Sequence, residues 1–299
     1  MNKSLTVISL LLLFNIAPGH AQESRGGHRR QRHRMSSSGT AYGTADDGTP
    51  LRWTVYPGTG PGPHPAVLVI HGGGFRAEPN SPKTRWAAQD AAAAGFNAFQ
   101  VEYRLAPGRG LPGQKSVGHY PDQTNDLKIA VRAARRYPGG NGKVGAIGGS
   151  AGGSHAVYLA ATGTLGDDRL DAAVALSGAY DFTDRGSLTQ RNFQKLMTNY
   201  AGSDPAALQK ASPITYVQAD VAPLFIIASD HDAMPPEQYK DLIKKLNAVG
   251  ATNFEKLLRT DSPGHSFAYW PDVKERSLAF LKDKLSAVPA AASTPAPSP

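Results

Sequence analysis

Short apolar runs alternate along this chain with longer stretches in which apolar residues recur every three or four positions. Six runs, at residues 66–70, 96–101, 143–147, 172–176, 223–228 and 254–258, are mostly apolar at successive positions. That is the pattern of strands covered on both faces. Two earlier runs, 40–45 and 51–56, flank Asp46-Asp47-Gly48 and read as a hairpin. The intervening stretches read as helices. Residues 81–94 are alanine-rich and stop at Gly95, and 122–137 place Leu127, Val131 and Ala134 on one stripe before Pro138-Gly139-Gly140. Residues 236–249 align Tyr239, Leu242, Ile243, Leu246 and Val249 and stop at Gly250, and 271–285 carry Val273, Phe280, Leu281 and Leu285. A hairpin followed by repeated strand–helix units predicts an α/β fold: a mostly parallel eight-stranded sheet with helices on both faces.

The two ends break this pattern. Residues 1–21 have the layout of a secretory leader: Lys3, a short apolar run over 5–16, and Gly19-His20-Ala21 with small residues at the −3 and −1 positions of a cut before Gln22. The apolar run is shorter than the ~20 residues a membrane span requires, so no stable membrane anchor is expected. Residues 22–38 are basic and poor in apolar groups, and are expected to form a disordered tether. Its His28 and His33 sit among arginines that repel cations. Residues 288–299 are rich in Ala, Pro and Ser and read as a loose tail. The folded domain is therefore expected at 39–287, and the protein is expected to be secreted or periplasmic.

Charge and composition then exclude several classes. Of the net +8, residues 1–36 supply +5 through Lys3, Arg25, Arg29, Arg30, Arg32 and Arg34 against Glu23, which leaves +3 for the rest. That is too mild for a nucleic-acid groove. With no cysteine in 299 residues, disulfides, thiolate metal sites and a cysteine nucleophile are ruled out.

In a sheet of this kind, ligands bind at the carboxyl ends of the strands. Gly148-Gly149-Ser150-Ala151-Gly152 matches G-x-S-x-G. The five-residue pattern is common, but here it follows the expected strand at 143–147 and opens an alanine-rich helix at 151–161. A sharp strand–turn–helix needs glycines on both sides and lifts the serine Oγ above the sheet edge, which makes Ser150 the candidate nucleophile. His71-Gly72-Gly73-Gly74-Phe75 follows the strand at 66–70. Its glycines leave backbone N–H groups unshielded to converge on a developing oxyanion, with the N–H of Ala151 as a further donor at a helix N-terminus. His71 leads that loop and is expected to be structural.

A serine hydroxyl needs a base. His265, in the loop after the last strand, is the candidate. His64 precedes a strand, and His155 lies five residues past Ser150 on the same helix. The acid is expected in the loop after the penultimate strand, where Asp230 and Asp232 compete. Asp232 lies further over the edge and is favoured, with Asp230 making a turn hydrogen bond. A metal held by Asp230-His231-Asp232 is disfavoured, because neighbouring loop side chains rarely converge on one ion.

Taken together, His71 to Gly74, Tyr103-Arg104-Leu105-Ala106-Pro107, Gly148 to Gly152, Asp232 and His265 resemble the α/β-hydrolase superfamily, and more narrowly its hormone-sensitive-lipase-like and BD-FAE-like carboxylesterases. The resemblance spans about residues 51–285. It implies Ser150, Asp232 and His265 as a triad in that chain order, with Gly73 and Gly74 joining Ala151 as oxyanion donors. It also implies a serine esterase working through an acyl-enzyme on short-chain or carbohydrate-linked esters, with no cofactor and no metal. Three features depart from the family pattern. Ser229 stands where Gly-x-x-Asp is usual, the acidic residue after YRLAP is missing, and there is no room for a large N-terminal cap. Lid material is expected at about 183–222, partly helical over 189–200 and 205–210. Two alternatives remain at this point: a stand-alone serine peptidase of the prolyl-oligopeptidase clan, and a catalytically silent binding scaffold. The oligomeric state is left open.

Overall fold

The computed structural model describes residues 39–77, 81–108, 110–260 and 264–286. The expected leader at 1–21, tether at 22–38 and tail at 288–299 lie outside them. The described elements run β1 (Thr40–Thr44), β2 (Pro50–Tyr56), β3 (His64–Ile70), α1 (Pro82–Ala93), β4 (Asn97–Val101), α2 (Asp122–Arg135), β5 (Gly140–Gly149), α3 (Ala151–Ala161), β6 (Ala172–Leu176), α4 (Arg185–Leu188), α5 (Arg191–Ala201), α6 (Pro205–Ala211), a 3-10 turn at Pro213–Tyr216, β7 (Leu224–Ser229), α7 (Pro236–Ala248), β8 (Phe254–Arg259), a second 3-10 turn at Ser266–Tyr269 and α8 (Trp270–Leu285).

The eight strands form one sheet in the order β1-β2-β4-β3-β5-β6-β7-β8. β2 is antiparallel to both β1 and β4, and the remaining neighbours are parallel. The sheet is mostly parallel, as the alternation of strands and helices predicted. Alternate residues of each central strand enter opposite cores. Val67, Val69, Ile147, Val174 and Phe225 pack with α1 and α8. Leu68, Ile70, Ala146 and Ile226 pack with α2, α3 and α7. Burial on both faces is why these strands read as unbroken apolar runs.

Register aligns the strand ends. Ile70 lies opposite Gly148, Gly149 opposite Leu176, and Leu176 opposite Ile227. The loops leaving β3, β5, β6 and β7 therefore emerge side by side. β5 also runs two residues further than expected, through Gly149. One strand departs from the expectation of two covered faces: in β8, Glu255, Lys256 and Leu258 are exposed. β8 is an edge strand, and its Glu255 and Lys256 face water. The four-residue α4 was not legible in the pattern. It forms because the Asp184 carboxylate accepts from the backbone N–H groups of Gly186 and Ser187 at 3.0 and 2.8 Å.

A buried ion pair fastens the hairpin and the chain after β4 to α2. Arg104 of the YRLAP segment is 2% exposed and Asp126 0%. The Arg104 Nη2 donates to Asp126 Oδ1 at 2.8 Å and Nε to Asp126 Oδ2 at 3.0 Å, while Nη1 donates to Asp46 Oδ1 at 2.6 Å. The backbone N–H of Arg104 donates to the same Asp126 carboxylate at 2.9 Å. Removing Asp126 takes away the fully buried partner and leaves the guanidinium to Asp46, Asp47 and Asp122, at a cost of up to about 3–5 kcal/mol. Asp126→Asn is therefore expected to lower the stability measured by urea unfolding by about that amount. An unchanged urea midpoint would remove the pair from the account of the fold.

Candidate active site

The turn between β5 and α3 is shaped by contacts that only glycine permits. A Cβ on Gly148 would run into the carbonyl oxygen of Gly152, and a Cβ on Gly152 would run into the carbonyl oxygen of Ile70 on the neighbouring strand. Between them Ser150 sits at φ 56°, ψ −122°, a left-handed conformation that costs a non-glycine residue roughly 1–3 kcal/mol. The Ser150 N–H donates to the Leu176 carbonyl at 2.8 Å, which ties the turn to β6. The serine occupies the N-cap of α3, yet its side chain makes no capping hydrogen bond. Its hydroxyl instead lines the cleft.

His265 and Asp232 meet from different loops. Asp232 follows β7, and His265 opens the 3-10 turn before α8. His265 Nδ1 lies 2.6 Å from Asp232 Oδ1, with the carboxylate side chain 2% exposed. A carboxylate only accepts, so Nδ1 carries the proton and Nε2 keeps a lone pair. The Met234 N–H donates to the same Oδ1 at 2.9 Å, and Oδ2 accepts from the hydroxyl of Ser177. Ser150 and His265 line the same two adjoining cavities, although the described structure has no direct hydrogen bond between them. Among the described residues, the Asp230 carboxylate does not make the expected turn hydrogen bond. Its carboxylate is partly exposed, 3.5 Å from His231 Nε2. Asp230 and His231 face each other while Asp232 turns to His265 and Ser177, and among the described residues no group of three His, Asp or Glu gathers to hold a metal.

The loop after β3 crosses the same edge. Gly73 and Gly74 have φ of 91° and 60°, and both line the cavity that contains Ser150. Ala151 begins α3, where the first N–H groups have no partner within the helix. The loop is held from below. The Tyr103 hydroxyl donates to the His71 carbonyl at 2.9 Å, and its ring stacks on the imidazole at 4.3 Å. Gln123 Nε2 donates to the Phe75 carbonyl at 2.7 Å. With its amide protons spent on Phe75 and Gly118, Gln123 uses Oε1 to accept from His155 Nε2 at 3.0 Å. His71 and His155 are thus buried supports, as their positions in the sequence suggested for His71.

From the other side, α5 closes on the glycine loop. Leu196 lines both cavities, of about 410 and 530 Å³, and a Cβ on Gly74 would come within 2.6 Å of its Cδ2. The first cavity adds Ser81, Lys83 and Thr84 of α1 and its cap. The second adds Arg191, Asn192, Phe193, Met234 and Pro235. The segment expected as a lid thus folds as three helices and a 3-10 turn between β6 and β7, with α5 against the site.

Comparison with known proteins agrees with this architecture. Residues 55–246 match the family model described as BD-FAE. The chain belongs to the BD-FAE family. Esterase LipC of Mycobacterium tuberculosis is 24% identical over 225 residues, covering 69% of this chain and 53% of its own length. Probable carboxylic ester hydrolase LipM of the same organism is 25% identical over 207 residues, covering 63% of this chain and 46% of its own. The chain thus spans about half the length of these curated relatives. Esterase Est2 of Thermogutta terrifontis superposes with a TM-score of 0.66 at 20% identity, over 85% of this chain and 94% of that one. An acetyl ester-xyloside bifunctional hydrolase of Caldicellulosiruptor lactoaceticus gives 0.65 at 17% identity, over 82% and 94%.

In this BD-FAE member, the sequence reading missed Ser177 and Tyr269 behind Asp232, and Leu196 over Gly74. Ser177 had a legible signal, a polar residue at the end of an apolar strand. Tyr269 and Leu196 had none, because their roles depend on which loop they meet.

Burial holds His71 down at about 4 and His155 down at about 3, the latter helped by the nearby His71. Both stay neutral in the fold, whereas the unfolded chain protonates them below about 6.5. The unfolded state then binds more protons, so stability falls as pH drops from 6.5 towards 4. His71 by itself accounts for on the order of 3 kcal/mol of that loss. Urea unfolding between pH 7 and 4.5 should show the decline, and His155→Asn should flatten its slope by about one proton. Equal slopes in the two proteins would refute this origin of acid sensitivity.

Proposed function

We propose that this chain is a serine carboxylic-ester hydrolase acting through an acyl-enzyme on short-chain or carbohydrate-linked esters. The observation that carries this reading is the His265–Asp232 pair opening onto the same cavities as a serine held in a left-handed turn. Ser150 Oγ attacks the ester carbonyl carbon as His265 Nε2 takes its proton. The oxyanion is held by the N–H groups of Gly73, Gly74 and Ala151. Collapse of the tetrahedral adduct expels the alcohol, which receives the proton from His265. Water then attacks the acyl group by the same route and releases the acid. Asp232 keeps Nδ1 protonated, fixes the ring and offsets the charge of the imidazolium.

The names of the relatives support the class of reaction. LipC and LipM are an esterase and a probable carboxylic ester hydrolase. Esterase 2 of Thermogutta terrifontis has been captured phosphonylated by sarin, a reagent for activated nucleophiles. The carbohydrate side of the proposal is supported by the xyloside hydrolase and by a carbohydrate esterase from gut microbiota among the structural neighbours. Two cavities that share Ser150, His265 and Leu196 suit a small acyl group in one and a small alcohol or sugar in the other. With the leader read at residues 1–21, the site of action is proposed to be periplasmic or extracellular.

Hydrolysis of p-nitrophenyl acetate and release of acetate from acetylated xylo-oligosaccharides test the reading. Ser150→Ala is expected to reduce kcat by at least ~10³-fold and to abolish covalent labelling by a fluorophosphonate. Asp232→Asn is expected to reduce kcat by on the order of 10⁴-fold with little change in KM, because the wrong imidazole tautomer is then favoured. Failure of the unaltered protein both to hydrolyse these esters and to take up the probe would reject the proposal.

A further inference from the structure

We infer that Ser177 is a positioning residue for Asp232, and that it is oriented in turn by Tyr269. The inference rests on the esterase reading above. Ser177 follows β6 directly, and its N–H donates to the Ile227 carbonyl of β7 at 2.8 Å, so its backbone is fixed by two adjacent strands. Its φ is 49°, a left-handed conformation in which glycine would sit without strain. Nothing in the backbone asks for serine there. What the side chain contributes is a hydroxyl at the meeting point of three loops.

Counting protons gives that hydroxyl one arrangement. Asp232 Oδ2 can only accept, so Ser177 donates its single proton to it. The Ser266 N–H donates to Ser177 Oγ at 3.0 Å. The Tyr269 hydroxyl lies 2.6 Å from the same oxygen and must therefore be the donor there. Burial pushes the Tyr269 phenol upward, so it keeps its proton at any working pH. The Ile227 carbonyl, at 3.2 Å from the phenol, takes the weaker share of that proton. The result is a one-directional chain from Tyr269 to Ser177 to Asp232, with His265 donating from the opposite side to Oδ1.

The arrangement divides the carboxylate by oxygen. Oδ2 is engaged from the sheet side by Ser177, and Oδ1 takes the imidazole and the Met234 N–H. Rotation of the carboxylate about its Cβ–Cγ bond would break contacts on both oxygens. The backbone N–H of Ser266, the residue next to the base, joins the same hydroxyl. One side chain thus sets the acid and the loop of the base together.

Ser177→Gly suits the left-handed backbone and removes the hydroxymethyl side chain that carries the hydroxyl. With p-nitrophenyl acetate it should lower kcat by on the order of tenfold or more, with KM unchanged. It should also raise the acid limb of the pH–rate profile, because a carboxylate stripped of a donor is more basic and favours the imidazolium. Tyr269→Phe leaves Ser177 on Asp232 but untethered, so its loss should be smaller. The double variant should lose little beyond Ser177→Gly alone, since both act through one hydroxyl. The low-field proton resonance of His265 Nδ1–H, read without turnover, should move in Ser177→Gly. An unchanged kcat, acid limb and Nδ1–H signal in Ser177→Gly would overturn the inference, as would additive losses in the double variant. If Ser177→Gly does not fold, Tyr269→Phe still tests it, with an unmoved acid limb and resonance counting against it. An esterase that labels at Ser150 but ignores Ser177→Gly would sink only this inference. A protein that neither hydrolyses nor labels would sink the esterase reading itself.

Discussion

The whole edge of the molecule is organised by how closely β5, β3 and α3 approach at Gly148 and Gly152. There, backbone oxygens of Gly152 and Ile70 occupy the space where side chains would otherwise lie. That approach forces the chain through a turn too tight for relaxed torsions, and Ser150 absorbs the strain at φ 56°. The same turn starts α3, so it delivers a hydroxyl and an unpaired helix N-terminus to one point. No other part of the site can be placed independently of it. The glycine loop, the carboxylate and the imidazole all approach a position that the packing of three elements has already set.

Strain of this kind recurs around the cleft. Ser177 and Ser266, like Ser150, adopt left-handed torsions, and the hydroxyl of Ser177 accepts from the N–H of Ser266 behind Asp232. A backbone in such a conformation persists only where its surroundings over-determine it. Here the surroundings are strand ends locked by a parallel ladder and a buried chain of donors and acceptors. The buried histidines belong to the same economy. His71 and His155 hold up the glycine loop while remaining neutral, which couples the shape of the site to the pH range in which the fold is stable.

The insertion between β6 and β7 acts on this scaffold from outside. α5 buries Phe193, Met197 and Tyr200, and sets Leu196 against Gly74. The Tyr200 ring stacks on Phe75 at 4.1 Å. The wall of the cleft and the glycine loop are therefore one packed unit, and the size of each cavity follows from a helix the central sheet does not itself require.

All eight strands and the five larger helices around the sheet were legible along the chain, the central strands because burial on two faces leaves runs of Val, Ile, Leu and Ala, and β1 and β2 because they flank a turn at Asp46-Asp47-Gly48. That Ser150, His265 and the glycine loop would meet at one sheet edge was legible, because glycines around a serine mark a tight strand–turn–helix and because topology gathers the loops that follow strand ends. Asp232 was separable from Asp230 only as a preference, and the edge exposure of β8 was not foreseen in its apolar run. Tyr269, Leu196 and the Arg104–Asp126 pair were beyond reach, and Ser177 showed only as a polar residue closing an apolar strand. Each is defined by a partner 22 to 122 residues away, or by several such partners, and separation along a chain carries no distance in space. Periodicity and local turn chemistry are properties of neighbours in sequence, so the chain records them directly. Which hydroxyl reaches which carboxylate is a property of packing, and it comes into being only when the loops are brought together at the strand ends.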